Sequence, residues 1–193
     1  MTVPKQSICD NIDAIHRAIQ AEIGTGQDVV LILHSDAAAV GLRALSKCLT
    51  AHSMSHNDHY PKPTHLIMVA ACMPDPYAHL SPPYRAGDAD VDSDDHKSPL
   101  FSDMLRYEAQ QVVNALEPDV QYSSAHNDDP DAGLWMLIPC TYVACMRDGV
   151  LPPDYQTSVP TRYAMGLVEM ASDHCPMVSH PDKFVDVVRE IIE

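Results

Sequence analysis

The sequence predicts an α/β protein built on an open, mostly parallel sheet with flanking helices, and three observations carry that expectation. Unbroken apolar runs of strand length recur at Val29–Leu33, within Thr64–Ala71 and within Ile138–Met146, as strands covered on both faces do. Stretches with apolar residues at three- and four-residue spacing alternate with these runs, which is the order strand, crossover helix, strand. At 193 residues and 46 % hydrophobic the chain can build one real core, so residues 1–193 are read as a single domain.

The first helix is expected from Ser7 to Ile23. Ser7 and Asp10 have capping-box spacing, Ile8, Ile12, Ile15, Ile19 and Ile23 form one stripe, and Gly24 and Gly26 stop it. The strand Val29–Leu33 follows, then small residues and a helix with Val40, Ala44, Leu45 and Cys48 at helical spacing. His52, His56 and His59 come next, before Pro61 and Pro63. The i, i+4 spacing of His52 and His56 suits a metal, but the segment reads as a solvated connecting loop and no metal site is assigned. Thr64–Ala71 is the second strand, ended by Met73 and Pro74.

From Asp75 to Ser98 the composition turns to Pro, Asp, Ser, His and Gly, with an acidic run from Asp88 to Asp95. Pro99–Leu116 then reads as one helix with Leu100, Met104, Leu105, Ala109, Val112, Val113 and Leu116 on its apolar side, so residues 75–136 are expected to form a small cap insertion. Trp135 fits a core plug and a pocket wall equally. Ile138–Met146 is the third strand, Pro152–Ala164 a loop and helix, and Gly166–Ala171 a fourth short strand. Ser179 and Pro181 start a final helix whose buried face is Phe184, Val185, Val188, Ile191 and Ile192.

Charge narrows the function classes. With 27 acidic against 12 basic residues and a net charge of −15, nucleic-acid and anionic-membrane partners are not expected. The first residues lack the apolar core of a signal peptide, and no run reaches bilayer length, so a soluble, cytoplasmic protein is expected. Six scattered cysteines without a C-x-x-C pair read as free thiols, and no organic cofactor is implied.

Three residues then stand out by position. Ser35 follows the strand Val29–Leu33 where it turns into a helix, the setting of a G-x-S-x-G nucleophile elbow, although Leu33 and Ala37 occupy the two glycine positions. Asp148 follows the third strand and His174 the fourth. All three sit where strands of an open α/β sheet end, the edge that carries chemistry. Taken singly, Ser35 could cap a helix, Asp148 a turn, and His174 could be an ordinary loop histidine. Their joint placement favours a nucleophile, an acid and a base.

The order Ser, Asp, His, with the serine at a strand-to-helix turn, resembles the α/β-hydrolase superfamily. The phrases Val-Val-Leu-Ile-Leu-His-Ser, Thr-Tyr-Val-Ala-Cys-Met-Arg-Asp before Leu-Pro-Pro-Asp-Tyr-Gln, and Asp-His-Cys-Pro-Met-Val-Ser-His-Pro are similar to the esterase and hydroxynitrile-lyase-like branch, particularly its fungal members. The resemblance implies that Ser35 is the nucleophile, His174 its general base and later acid, and Asp148 the group that orients the imidazole; Asp173 and Asp154 are lesser candidates for the acid. It implies that the backbone N–H of Asp36 serves the oxyanion hole. It also implies a truncated fold, since the family's earlier strands, and the loop that gives the second oxyanion donor, have no counterpart before Ser7.

The activity so implied is cleavage of an ester, lactone or thioester of a small, mostly apolar molecule. The alternatives are lyase, isomerase or cyclase chemistry on the same fold, or a degenerate binding or scaffold protein. Without earlier strands, Val29–Leu33 would be a sheet edge with no proline, lysine or inward charge. The chain is therefore expected to form a homo-oligomer, or to bind a partner chain, through that edge.

Overall fold

The apolar periods become four strands and six helices among the described residues, 8–53, 62–73, 99–115 and 133–193 of a computed structural model. Two units share the chain, Met1–Ala78 with Val120–Cys140, and His79–Asp119 with Thr141–Glu193. Ser7, His56, His59, the acidic run 88–95 and Leu116 lie outside the described residues, as does the side chain of His52.

In the first unit, α1 (Ile8–Ile23) packs on α2 (Ala37–Ser53), with Ile19 and Ile23 buried. Gly26 closes the turn after α1 at φ 74°, a left-handed conformation that costs glycine nothing. The strands β1 (Val30–His34) and β2 (His65–Val69) pair in parallel, from Val30 opposite His65 to His34 opposite Val69, with α2 as their crossover. The β2 side chains from Leu66 to Val69 are fully buried, and so are Ala44 and Leu45 of α2. Trp135, in a 3₁₀ turn at Leu134–Leu137, is a core plug at 2 % exposure.

One expectation for β1 changes. Its alternation sends Leu33 against Gly41 of α2 and Ile32 to the opposite face, where Ile32 is 45 % exposed, so this strand is not covered on both faces. Gly41 is the reason Leu33 fits: a Cβ there would lie 2.5 Å from a Leu33 methyl.

In the second unit, β3 (Cys140–Cys145) and β4 (Gly166–Met170) pair in parallel, from Thr141 opposite Gly166 to Cys145 opposite Met170. Between them runs α4 (Pro153–Tyr163), closed by Ala164 in the left-handed conformation at φ 53°. The reading of Pro99–Leu116 as one helix is corrected. A 3₁₀ turn at Pro99–Phe101 is followed by a break, and α3 runs only over Arg106–Ala115. The break has a cause: the Asp103 N–H is taken by a carboxylate 70 residues away, Asp173 Oδ2 at 3.1 Å, so it cannot join a helical ladder. Leu100, Met104 and Val112 still pack on a small cluster of Phe101, Ala109 and Cys175, whereas Leu105 and Val113 face solvent.

The chain end also differs from expectation. A four-residue helix α5 (Pro176–Ser179) precedes α6 (Pro181–Ile192), and Ser179 does not cap α6 because its hydroxyl donates to Asp173 Oδ1 at 2.6 Å. Phe184 is buried, but Val185 and Ile192 are 45 % and 50 % exposed, since Phe184, Val187, Val188 and Ile191 are the residues that share one side. No helix among the described residues is long and apolar enough to cross a membrane.

The contact of Leu33 with Gly41 is testable. Replacing a mid-helix glycine by alanine ordinarily gains about 1 kcal/mol. Here Gly41→Ala is expected to lower the thermal midpoint in the natural background and raise it in a Leu33→Ala background. Thermal melts followed by circular dichroism check this, and equal shifts in both backgrounds would contradict the packing described.

Candidate active site

Ser35 occupies the turn between β1 and α2 with φ 52°, the left-handed region that serine rarely enters. Such a residue stores roughly 1–3 kcal/mol of strain and persists only where its surroundings hold it. They do: the Ser35 N–H donates to the Val69 carbonyl at 3.1 Å, and its own carbonyl accepts from Cys72 at 3.2 Å and Ala38 at 3.2 Å. Between Val69 and Cys72, Ala70 is itself left-handed at φ 42°, so the end of β2 is shaped to grip the two peptide planes that flank the Ser35 Cα. The intrahelical ladder of α2 opens with the amides of Ala38 and Ala39, which places the Asp36 N–H ahead of it, among the orphan donors at a helix N-terminus.

In the second unit the ends of β3 and β4 bring Asp148 and His174 together. His174 Nδ1 lies 2.7 Å from Asp148 Oδ2, with the histidine 1 % and the aspartate 8 % exposed. A carboxylate oxygen accepts, so Nδ1 is the donor, and in the neutral ring Nε2 is left as the basic nitrogen. The carboxylate is held from every side: Val150 and Leu151 donate their N–H groups to Oδ1 at 2.7 and 2.9 Å, and Gln156 Nε2 donates to Oδ2 at 2.9 Å. The lesser candidates separate. Asp173, fully buried, accepts from Cys175 and Ser179 instead, and Asp154 lies in the first turn of α4.

Gln156 is a residue of the Asp148 hydrogen-bond network that the sequence reading missed. It is fully buried, accepts the Cys145 N–H at 2.8 Å, donates to the Leu151 carbonyl at 2.7 Å, and so ties the end of β3 to the Asp148 turn. Among the several polar residues of α4, nothing in the sequence singled it out. The buried thiols near the pair offer no competing nucleophile, because burial pushes both Cys145 and Cys175 up to about 12 and keeps them protonated at neutral pH.

Among the described residues, one side-chain group has metal-ligand proximity, Asp103, Asp173 and His180, with ligand atoms within 4.8 Å of one another. Its oxygens are already engaged. Arg147 Nε and Nη2 fork onto the Asp103 carboxylate at 3.0 and 2.6 Å, and both Asp173 oxygens accept hydrogen bonds, so the group is a hydrogen-bonded ion-pair network. Hydrogen bonds from Arg147 hold the Asp103 carboxyl below its ordinary value. A carboxyl lowered on folding stabilises above the unfolded value, about 4, and loses that contribution as pH falls through the folded one. The stability gap between the natural chain and Asp103→Asn should therefore be full at pH 6 to 7 and shrink below about pH 4. Urea titrations across that range check it; a gap that stays constant down to pH 3 would contradict it. Gln156→Ala should cost about 2–5 kcal/mol, because it strands a buried N–H, a carbonyl and one carboxylate lone pair, and the same titrations report it.

Comparison with known proteins gives the family. The family model described as the alpha/beta hydrolase family matches residues 7–187. A probable hydrolase of Phoma sp. is 24 % identical over 216 aligned positions, covering 99 % of this chain and 81 % of that protein. Among solved structures, polyneuridine aldehyde esterase superposes with a TM-score of 0.69 at 16 % identity, covering 98 % of this chain and 81 % of its own. An extracellular alpha/beta-hydrolase from a Paenibacillus species gives 0.69 at 13 %, covering 96 % and 80 %. A pyrethroid hydrolase from Sphingobium faniae gives 0.52 at 16 %, covering 93 % and 76 %. Matched over nearly its whole length, this chain belongs to the alpha/beta hydrolase family of enzymes.

Proposed function

We propose that the chain is a carboxylic ester hydrolase acting on an ester, lactone or thioester of a small, mostly apolar molecule, with Ser35 as nucleophile, His174 as general base and acid, and Asp148 as the orienting carboxylate. The buried hydrogen bond from His174 Nδ1 to Asp148 carries the reading, because it fixes the tautomer that a serine hydrolase needs. The strained φ of Ser35 supports it from the other side, as the conformation a nucleophile elbow imposes. Solved structures of like fold include an esterase and a hydrolase of pyrethroids, which favours an ester linkage and an apolar substrate.

The chemistry follows. Ser35 Oγ attacks the acyl carbon while Nε2 of His174 takes the hydroxyl proton, and the resulting imidazolium is stabilised by Asp148. The Asp36 N–H stabilises the oxyanion. Collapse expels the alcohol or thiol, which takes the proton from Nε2, and a water activated by the same nitrogen then releases the acid. Six free cysteines suit a reducing compartment, so we place this activity in the cytoplasm.

Groups acting as one unit are not additive. Ser35→Ala and His174→Ala should each lower kcat/KM for p-nitrophenyl acetate by about 10³ or more, and the double variant should lose little further. Losses that multiply would contradict the assignment. The proposal keeps a self-associating β1, whose Ile32 is 45 % exposed. Light scattering should return a multiple of 21.2 kDa, reduced to the single-chain mass by Leu31→Lys; a monodisperse single chain at micromolar concentration would contradict it.

A further inference from the structure

The stretch from Pro99 to Val112 contacts the immediate neighbours of both members of the buried pair. Before Asp148 stands Arg147, forked onto the Asp103 carboxylate by Nε and Nη2. After it stands Gly149, whose Cβ position would be 3.2 Å from the Pro99 carbonyl oxygen, a tight approach of the two backbones. Before His174 stands Asp173, whose Oδ2 accepts the Asp103 N–H at 3.1 Å. After it stands Cys175, packed with Phe101 and Ala109. Asp103 alone thus joins both loops, by its side chain to one and by its backbone to the other. The two loops also meet directly, through the Arg147 N–H and the Ser172 carbonyl at 2.9 Å.

We propose that Asp103 is a positioning residue: its forked pair with Arg147 and its amide bond to Asp173 set the spacing between the loops that carry Asp148 and His174. A planar guanidinium against a planar carboxylate fixes angle as well as distance, which one ammonium does not. The helix break at 102–105 is the structural cost of this bracket, since the Asp103 amide leaves the ladder to make it. The inference rests on the pair's role in the proposed hydrolase. Its physical content, the geometry of one hydrogen bond, is measurable without turnover.

The test uses Asp103→Asn and Arg147→Lys, which keep size and backbone, and the swapped double variant Asp103→Arg with Arg147→Asp. The first readout is the downfield proton resonance of the His174 Nδ1–H in the resting protein. The second is the kcat against KM split on p-nitrophenyl acetate. Asp103→Asn and Arg147→Lys should each move that resonance and speed its exchange with water, and should lower kcat about 10-fold with KM unchanged, the signature of misplacement rather than lost binding. The swap should recover part of both. An unshifted resonance and natural kcat in folded Arg147→Lys would overturn the proposal, as would equal losses in every variant with no recovery in the swap. A resonance that responds to Asp103→Asn in a protein without esterase activity would uphold the bracket and overturn the proposed function instead.

Discussion

Burying an imidazole and a carboxylate is costly unless each satisfies the other, and the second unit is arranged around that requirement. Asp148, at 8 % exposure, would be a destabilising charge without its hydrogen bonds from Val150, Leu151, Gln156 and His174. Those bonds dictate much of the local chain. The turn after β3 must present two amides to one oxygen, α4 must place Gln156 inward, and the end of β4 must deliver His174 with Nδ1 facing the acid. Nδ1 is thereby committed to the acid, which fixes the orientation of the ring.

The first unit solves a different problem, holding a serine in a backbone conformation that serine resists. Elbows usually do so with glycines on either side of the nucleophile. Here Leu33 stands where a glycine is expected, and the small residue sits instead on the facing helix, at Gly41, so the close approach is kept with the roles exchanged. The peptide planes of Ser35 are then fixed by Val69 and Cys72, on either side of a second left-handed residue, Ala70. Strain at the turn is thus supported by hydrogen bonds with the last residue of β2 and with the loop just after it.

Much of this was legible in the sequence because local pattern and burial coincide. Leu66 to Val69 read as a buried strand and are fully buried; Ile12, Ile15, Ile19 and Ile23 of α1 read as one stripe and are all at least partly buried; Asp148 and His174 fell at strand ends by simple counting. The failures share a cause, a bond made far along the chain. Periodicity carried the helix through residues 102–105, but Asp173 removes an amide from it. Ser179 has the composition of a helix cap, but Asp173 takes its hydroxyl. Gln156 looks like any polar helical residue until β3 is folded against it. Ile32 shows the remaining limit, since an apolar run does not say how many of its faces are covered.

The most direct measurement is exposure of the folded protein to a fluorophosphonate, followed by peptide mapping of the adduct. The account predicts a single phosphonylated site, Ser35, lost in His174→Ala. Folded protein that takes up no label, or carries it at any residue other than Ser35, would contradict it.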